Sequence, residues 1–319
     1  YCERLQTIDL PKDLEVIGEK AFFACYNLRN AKLPSSLTRI ENGVFDNCTS
    51  LSDIAIPNSV EYIGDYAFYG CVAAPSVNIP AKVSYIGNGA FGSCNALKSV
   101  SFDPSAKIDT IGAYTFGLCT NIETMILPQS VKNIKWRAFY KCSGLKEINL
   151  SSVETIQEDA FLGCSSLTEL TIPASVKSIG AAVFDGCSSV KVINYNAEDC
   201  EISNYYMFAN CTAVKTVNIG STVKSIPAYT FSGCSNLERA YFPDIAVQID
   251  PLAFFGCGNV AIVCPNGSYA NVYAIQNGIK YILEDGVNDT AFEIRNGMLL
   301  GYSGSAQNIV LPSDLNSVG

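Results

Sequence analysis

Apolar residues recur along the chain in one unit of about 23 residues. In residues 51–71, a stretch of the form Leu-x-x-Ile-x-Ile is followed by Pro, then by Val-x-x-Ile-Gly, and finally by Ala-Phe-x-x-Cys. The first stretch alternates in the way a half-buried strand does, because successive side chains of a strand point to opposite faces. Pro57 predicts its end, because proline cannot donate a hydrogen bond to a β-ladder. We expect Val-x-x-Ile-Gly to turn the chain back, and Ala-Phe-x-x-Cys to form a short helical or 3₁₀ segment that buries Phe68.

Cysteine and phenylalanine mark the period. Phe lies three residues before each cysteine of the series after the first one, and the cysteines are 22 to 25 residues apart. One unit of this length cannot bury its own apolar face, whereas stacked units form a continuous core, so the period predicts a solenoid. The irregular intervals predict loop changes: two extra residues near 103–110, one residue lost near Ser151 and one added near Tyr205. The cysteines of this column are Cys2, Cys25, Cys48, Cys71, Cys94, Cys119, Cys142, Cys164, Cys187, Cys211, Cys234 and Cys257.

The consensus LxxIxIPxSVxxIGxxAFxGCxx, almost complete in residues 51–71 and 167–187, resembles the BspA-like (Treponema-type) leucine-rich repeat family. The resemblance covers about residues 1–283. It implies an α/β solenoid: a right-handed, curved array with a parallel sheet on its concave side and short helical or 3₁₀ segments on its convex side. It also implies export to the bacterial cell surface and adhesion to host proteins or to other cells.

The unit breaks down after Cys257, and the following residues predict a different organisation. Ser268 is a favourable N-cap and Asn277-Gly278 a stop for one short helix, which we expect to cap the array, followed by a closing strand at 279–283. The predicted divisions are a solenoid over 1–264, a C-terminal cap over 265–283, a polar linker over 284–290 and the start of a second, truncated array over 291–319. That array would open with a hairpin over 292–319, with strands at 294–300, 309–312 and 315–319. Because residue 1 falls in mid-repeat, we expect a fragment or a processed form.

Charge and composition exclude several classes of function. Lys plus Arg minus Asp plus Glu gives 21 − 30 = −9, which argues against nucleic acid as a partner. The chain has no histidine, so it has no histidine-dependent triad or metal site, and it has no CxxC pair, which excludes zinc ribbons and thioredoxin-like motifs. There is no apolar run long enough to predict membrane insertion. We therefore expect no enzymatic activity, no catalytic residues, no metal and no cofactor.

The cysteines themselves are expected to be chemically inert. Stacked equivalent side chains run parallel, whereas a disulfide needs converging Cβ atoms about 3.5–4.5 Å apart. The twelve column cysteines are therefore predicted to be buried free thiols that act as small apolar groups. Cys200 and Cys264 lie outside the column; free thiols are favoured there, with exposed, reactive thiols as the alternative. Asp285, Asn288 and Asp289 suggest calcium, but they lack the ligand order of an EF-hand loop, and a solvated linker is favoured.

The predicted binding surface is the outward side of the parallel sheet, the usual binding face of a solenoid. Small polar side chains predominate there, which suits hydrogen bonding to a peptide backbone or to sugar hydroxyls, and equally suits a strand face that only avoids aggregation. Tyrosines around one irregular repeat, at 195, 205, 206 and 241, form a candidate aromatic hot spot, with core packing or loop filling as the alternative for each. The predicted ligand-binding residues are Lys32, Asn78, Ser101, Asn149, Thr171, Asn194, Asn218 and Tyr241.

Two functions fit this pattern. The first is a non-enzymatic, monomeric adhesion module, extracellular or on a bacterial cell surface, whose concave face binds a host or bacterial surface protein or a glycan. The second is a stiff spacer that presents other domains and has no ligand of its own. Neither hypothesis involves nucleic acid or direct insertion into a membrane.

Overall fold

The structure, a computed structural model, describes residues 2–202, 206–284, 292–295 and 298–302. The chain forms stacked repeats whose strands make two sets of parallel pairs, here named the primary ladder and the secondary ladder. A turn segment containing the repeat phenylalanine completes each repeat. Because strands pair in register from one repeat to the next, residues about 23 positions apart lie side by side.

The primary ladder is built by the longer strand of each repeat, and Ile54 joins it through an isolated bridge to Val77. In chain order its strands are β1 (Thr7–Asp9), β3 (Asn30–Lys32), β6 (Ser76–Ile79), β8 (Ser99–Phe102), β10 (Thr124–Met125), β12 (Glu147–Ile148), β14 (Glu169–Ile172), β16 (Val192–Tyr195), β18 (Thr216–Ile219), β20 (Arg239–Tyr241), β22 (Ala261–Cys264) and β23 (Lys280–Leu283). The predicted alternation is confirmed in β6, where Ser76 and Asn78 are exposed and Val77 and Ile79 are buried.

The secondary ladder consists of two-residue strands, and it corrects the prediction that Val-x-x-Ile-Gly only turns the chain back. Tyr62 and Ile63 pair with Tyr85 and Ile86 of the next repeat, so the turning piece finds backbone partners in its neighbours. Its strands are β2 (Val16–Ile17), β4 (Arg39–Ile40), β5 (Tyr62–Ile63), β7 (Tyr85–Ile86), β9 (Thr110–Ile111), β11 (Asn133–Ile134), β13 (Thr155–Ile156), β15 (Ser178–Ile179), β17 (Glu201–Ile202), β19 (Ser225–Ile226) and β21 (Gln248–Ile249).

The turn segments are not helical, so the prediction of helical or 3₁₀ segments is wrong for the repeats that the structure describes. Every second residue points its backbone N–H at the next repeat instead of along the segment. The N–H groups of Tyr66 and Phe68 donate to the carbonyl oxygens of Asn88 and Ala90, each at 2.8 Å. This arrangement needs residues with a left-handed backbone conformation, and Tyr66 accordingly has a φ of +56°. The strain, about 1–2 kcal/mol per residue, is opposed by the hydrogen bonds between repeats. The array is therefore a β-solenoid rather than an α/β one.

The core lies between the ladders and the turn segments and contains two columns. Phe22 to Phe254 form an unbroken stack of eleven rings, with neighbouring centroids 5.1 to 6.0 Å apart. Beside it, nine cysteine thiols donate to the carbonyl oxygen of the phenylalanine one repeat earlier, as Cys119 does to Phe91 at 3.0 Å. Cysteine suits this position because it is small, apolar and still able to donate a hydrogen bond.

The helix expected after Ser268 is present as α1 (Tyr269–Gln276), and the Ser268 hydroxyl accepts a hydrogen bond from the N–H of Asn271. Strand β23 then pairs in parallel with β22. Further along, β24 (Phe292–Arg295) and β25 (Met298–Tyr302) form an antiparallel pair, which corrects the single strand predicted over 294–300. The strands predicted at 309–312 and 315–319, and the carboxylates and amide considered for calcium at 285, 288 and 289, lie outside the described residues. The proposed domain boundaries stay a prediction.

Candidate binding surface

All eight predicted ligand-binding residues lie on the outward side of the primary ladder. Lys32, Asn78, Ser101, Asn149 and Thr171 are exposed, because their neighbours along each strand point inward into the core. The other three, Asn194, Asn218 and Tyr241, are half-buried.

Four of these residues come together as one continuous row. Parallel pairing aligns Thr171 with Asn194, Asn194 with Asn218, and Asn218 with Tyr241. The amide of Asn218 donates to Asn194 Oδ1 at 2.8 Å, and the amide of Asn194 donates to Thr171 Oγ1 at 3.2 Å and to Glu169 Oε1 at 2.7 Å. These side chains therefore satisfy one another, which fixes their orientation and leaves fewer polar groups for a ligand.

The remaining predicted residues lie apart from this row. Asn78 and Ser101 form a separate pair, in which the Ser101 hydroxyl donates to Asn78 Oδ1 at 2.9 Å. Lys32 lies on β3, near the beginning of the chain. Asn149 lies just past the end of β12, where its side-chain oxygen accepts from the N–H of Ser151 at 3.0 Å. The predicted residues thus form one row, one pair and two single positions.

The feature that sequence reasoning missed on this face is an apolar groove at Ile126. This side chain is 73% exposed, the most of any large hydrophobic residue in the described part of the chain, and it lines a groove of about 500 Å³ with Phe102, Pro104, Pro128 and Asn149. The groove arises because β8 spans four residues while β10 spans only two, so the chain leaves the ladder directly after Met125. The signal in the sequence was the interval of 25 residues between Cys94 and Cys119.

Among the described tyrosines of the predicted hot spot, Tyr195 does not contribute to a surface cluster. Tyr195 is fully buried, and its ring packs edge-on against Phe231 at 5.9 Å. Burial raises the pKa of its hydroxyl well above the usual value. Tyr206 is exposed and Tyr241 half-buried, while residue 205 lies outside the described residues. Core packing, the alternative reading, is therefore the correct one for Tyr195.

Burial makes the thiols of Cys94 and Cys142 poor nucleophiles. Burial raises the pKa of Cys94 and Cys142 to about 12, so both are neutral thiols at physiological pH. Cys2 corrects the prediction of twelve buried column thiols, because it is exposed. The other eleven are buried and free, as predicted.

The two cysteines outside the column are buried as well, so neither is an exposed, reactive thiol. Cys264 is buried because Val263 pairs with outward-pointing Tyr241, and alternation along the strand then points Cys264 inward. Cys200 lies next to buried Tyr195 in the lengthened repeat, and burial raises the pKa of its thiol to about 12.

Charged side chains near these surfaces pair with each other. Glu123 and Lys146, which directly precede β10 and β12, form an ion pair of 2.8 Å that lowers the pKa of the Glu123 carboxyl through the hydrogen bond from Lys146. Glu198 is likewise paired with Lys224. Within the described residues, no three His, Cys, Asp or Glu side chains are grouped in a way that could hold a metal ion, and no helix is long and apolar enough to cross a membrane.

Comparisons with known proteins agree with this repeat geometry. The model of the BspA-type leucine-rich repeat region, which comprises six copies of the repeat, matches residues 1–108, 40–168, 99–205 and 154–278. The chain belongs to the BspA-type leucine-rich repeat family. This BspA-type array has 27% identity to a leucine-rich repeat protein from Bacteroides ovatus, with a TM-score of 0.70 over 82% of this chain and 70% of that one.

A second similar structure is a leucine-rich cell surface protein from Faecalibacterium prausnitzii, with 25% identity and a TM-score of 0.50 over 86% of this chain and 83% of that one. No curated protein sequence matches the BspA-type array. Together with the repeat family, these structures place the chain among bacterial leucine-rich repeat proteins, which indicates a protein-interaction or structural module.

Proposed function

We propose that this BspA-type array is a non-enzymatic, monomeric adhesion module on the bacterial cell surface or in the extracellular space. Its ligand is an extended segment of a host or bacterial surface protein, bound on the outward side of the primary ladder with an apolar side chain seated in the Ile126 groove. The exposure of Ile126 is the observation that carries this proposal.

The surroundings of the groove suit a peptide. Phe102, Pro104 and Pro128 supply apolar walls, and Asn149 lines the groove with an amide that could bond a peptide backbone. Burying one Ile-sized side chain is worth about 1.5–3 kcal/mol, which makes this groove the energetic anchor of the face. The F. prausnitzii relative, described as a cell surface protein, supports the location.

The spacer hypothesis finds its support in the row from Thr171 to Tyr241. Its Asn194 and Asn218 amides bond to neighbours within the row, as expected of a face that stabilises the array rather than binds a partner. The structure thus favours binding at the groove and a structural role for the row.

The test compares two substitutions in the same outward column. Ile126→Asp places a charge in the groove, and Ala55→Asp places the same charge at the equivalent exposed position of an earlier repeat. Binding of the purified array to immobilised host matrix proteins and to bacterial cells is measured by biolayer interferometry and by counting adherent cells. We expect Ile126→Asp to weaken binding roughly tenfold or more and Ala55→Asp to leave it unchanged.

A block of alanines at Asn149, Thr171, Asn194 and Asn218 tests the row separately. Loss of adherence in this block with unchanged binding of Ile126→Asp would move the binding site to the row. If no variant changes adherence, or the unaltered array adheres to nothing, the spacer hypothesis replaces the adhesion hypothesis.

A further inference from the structure

The single tryptophan of the chain forms an anchored, partly exposed platform outside the primary ladder. Trp136 lies between the secondary ladder and the turn segment and is 41% exposed. The Arg137 guanidinium lies 4.5 Å from its ring centroid, and Tyr114 contacts it edge-on at 5.2 Å. Arg137 is itself held by Asp159 at 2.9 Å and by the Tyr114 hydroxyl at 3.1 Å.

The platform borders a polar groove of about 470 Å³. The position of Trp136 is occupied by Glu158 in the next repeat and by Ala181, beside Gly180, in the repeat after that. The groove exists because these residues become smaller from one repeat to the next. Apart from Ile156, the rest of its lining carries hydroxyl, amide and carboxylate groups. These come from Thr155, Ser178, Gln157 and Glu158.

We propose that this groove binds a neutral pyranose residue of a glycan. The carbon-bound hydrogens on one face of such a sugar carry a slight positive charge and pack on the electron-rich face of an indole. Its hydroxyls both donate and accept hydrogen bonds, which matches hydroxyl, amide and carboxylate side chains together. The site lies on a different surface from the Ile126 groove and does not depend on the proposed peptide binding.

Other ligand classes fit the groove less well. A ligand cation would compete with Arg137, which already occupies the cation–π position on Trp136. An anionic sugar or a phosphate would approach the exposed carboxylate of Glu158. Large apolar walls, which the Ile126 groove has and a hydrophobic peptide anchor needs, are limited here to the tryptophan itself and Ile156.

The anchoring of Trp136 lowers the cost of binding. Arg137 is bonded to two partners, and the backbone N–H of Trp136 donates to Gln157 Oε1 at 3.1 Å, so the neighbouring guanidinium and the backbone of Trp136 are both held in place. A side chain that is already ordered loses little conformational freedom when a ligand packs on it. The single tryptophan also gives the site its own optical reporter.

The experiment titrates the purified array with neutral trisaccharides of glucose, galactose, mannose and N-acetylglucosamine while tryptophan emission is recorded. We expect at least one of them to give a saturable change in emission, with dissociation constants in the millimolar range or below. Calorimetry with the same sugar should show a loss of at least tenfold in affinity for Trp136→Ala, partial retention for Trp136→Tyr, and no change for Tyr269→Ala, an exposed aromatic residue on α1.

Three outcomes would overturn the proposal. One is the absence of any emission change with all four sugar types up to their solubility. Another is sugar binding that survives Trp136→Ala, which would place the sugar elsewhere. The last is binding of a protein partner that depends on Trp136 and is not inhibited by sugars, which would make the platform a protein contact. Circular dichroism of each variant shows whether the fold is retained.

Discussion

Two neighbouring parts of the array, residues 94–150 and residues 151–241, share one core and differ on their surface. In the second part, β14, β16 and β18 each span four residues and pair along their full length. In the first part, β10 and β12 span two residues each, and β12 has no strand pairing with β14. The phenylalanine stack runs without interruption through both parts.

The difference shows where such an array can acquire a binding site. Where neighbouring strands have the same length, as β14, β16 and β18 do, their outward side chains stack in register and bond to one another. Where a strand is shorter than its neighbour, as β10 is, outward side chains beside it stay exposed. We call the first part irregular and the second part regular because of these strand lengths. Ile126 and Trp136, the two residues on which our proposals rest, both lie in the irregular part.

Alkaline pH is expected to lower the stability of both parts, and this is the largest effect that we predict. Burial raises the pKa of Cys94, Cys142 and Cys211 from 9.0 to about 12. Between these values an unfolded thiol has lost its proton while a folded one retains it, so stability falls as pH rises from about 9 to 12. Circular dichroism should show cooperative loss of β-structure in this range. The double variant Cys142→Ala and Cys211→Ala should make the decline of stability with pH shallower. The control Cys2→Ala, at an exposed thiol, should leave it unchanged. An unchanged slope in the double variant would contradict the buried-thiol explanation.

Truncation of the ring stack is the next largest effect and compares the two parts directly. Phe161, with ring neighbours at 5.1 and 5.3 Å, and Phe116, with neighbours at 5.6 and 5.8 Å, are both fully buried. Replacing either with Ala should lower the free energy of unfolding by about 3–5 kcal/mol. We expect the greater loss at Phe161, because its contacts are closer. Urea unfolding measures the difference, with Phe→Leu at each position as the milder control, and a larger loss at Phe116 would show that the irregular part depends more on its core.

Loss of a surface amide should have the smallest effect on stability. It should also give the clearest contrast between the two parts. Asn194→Ala removes hydrogen bonds to Thr171, Glu169 and Asn218, and should cost about 0.5–1.5 kcal/mol. Asn149→Ala, in the irregular part, removes one bond within an exposed turn and should change stability by less than about 0.5 kcal/mol. Urea midpoints of both variants measure the contrast. Equal effects would mean that the row in the regular part adds no stability of its own.

Much of the fold was predictable because the repeat makes one local pattern appear many times. The alternation in β6 and the inward phenylalanines follow from the apolar positions alone. The secondary ladder and the left-handed turn segments were not predictable in this way. Each of them depends on hydrogen bonds between repeats, such as that from Phe68 to Ala90, which a pattern within one repeat does not contain.

The candidate sites were likewise predictable only in the features that depend on a single repeat. Outward strand positions such as Asn194 could be assigned from alternation, but their bonding to one another depends on register between strands. The Ile126 groove could be anticipated only as an irregular interval, and the Trp136 groove had no signal beyond the presence of one tryptophan. Tyr195 was misjudged although alternation along β16 points it inward, because it stands where the neighbouring repeats have Ile172 and Ile219.

The sequence by itself determined the period, the inward columns and the repeat family, because a stacked core requires the same apolar side chain at the same position in every repeat. It also determined that no histidine chemistry is present. Only the tertiary structure decided which outward side chains meet and which surfaces stay open. Those properties depend on contacts between repeats, where a change of one or two residues in length alters the strand ends and the loops without disturbing the core.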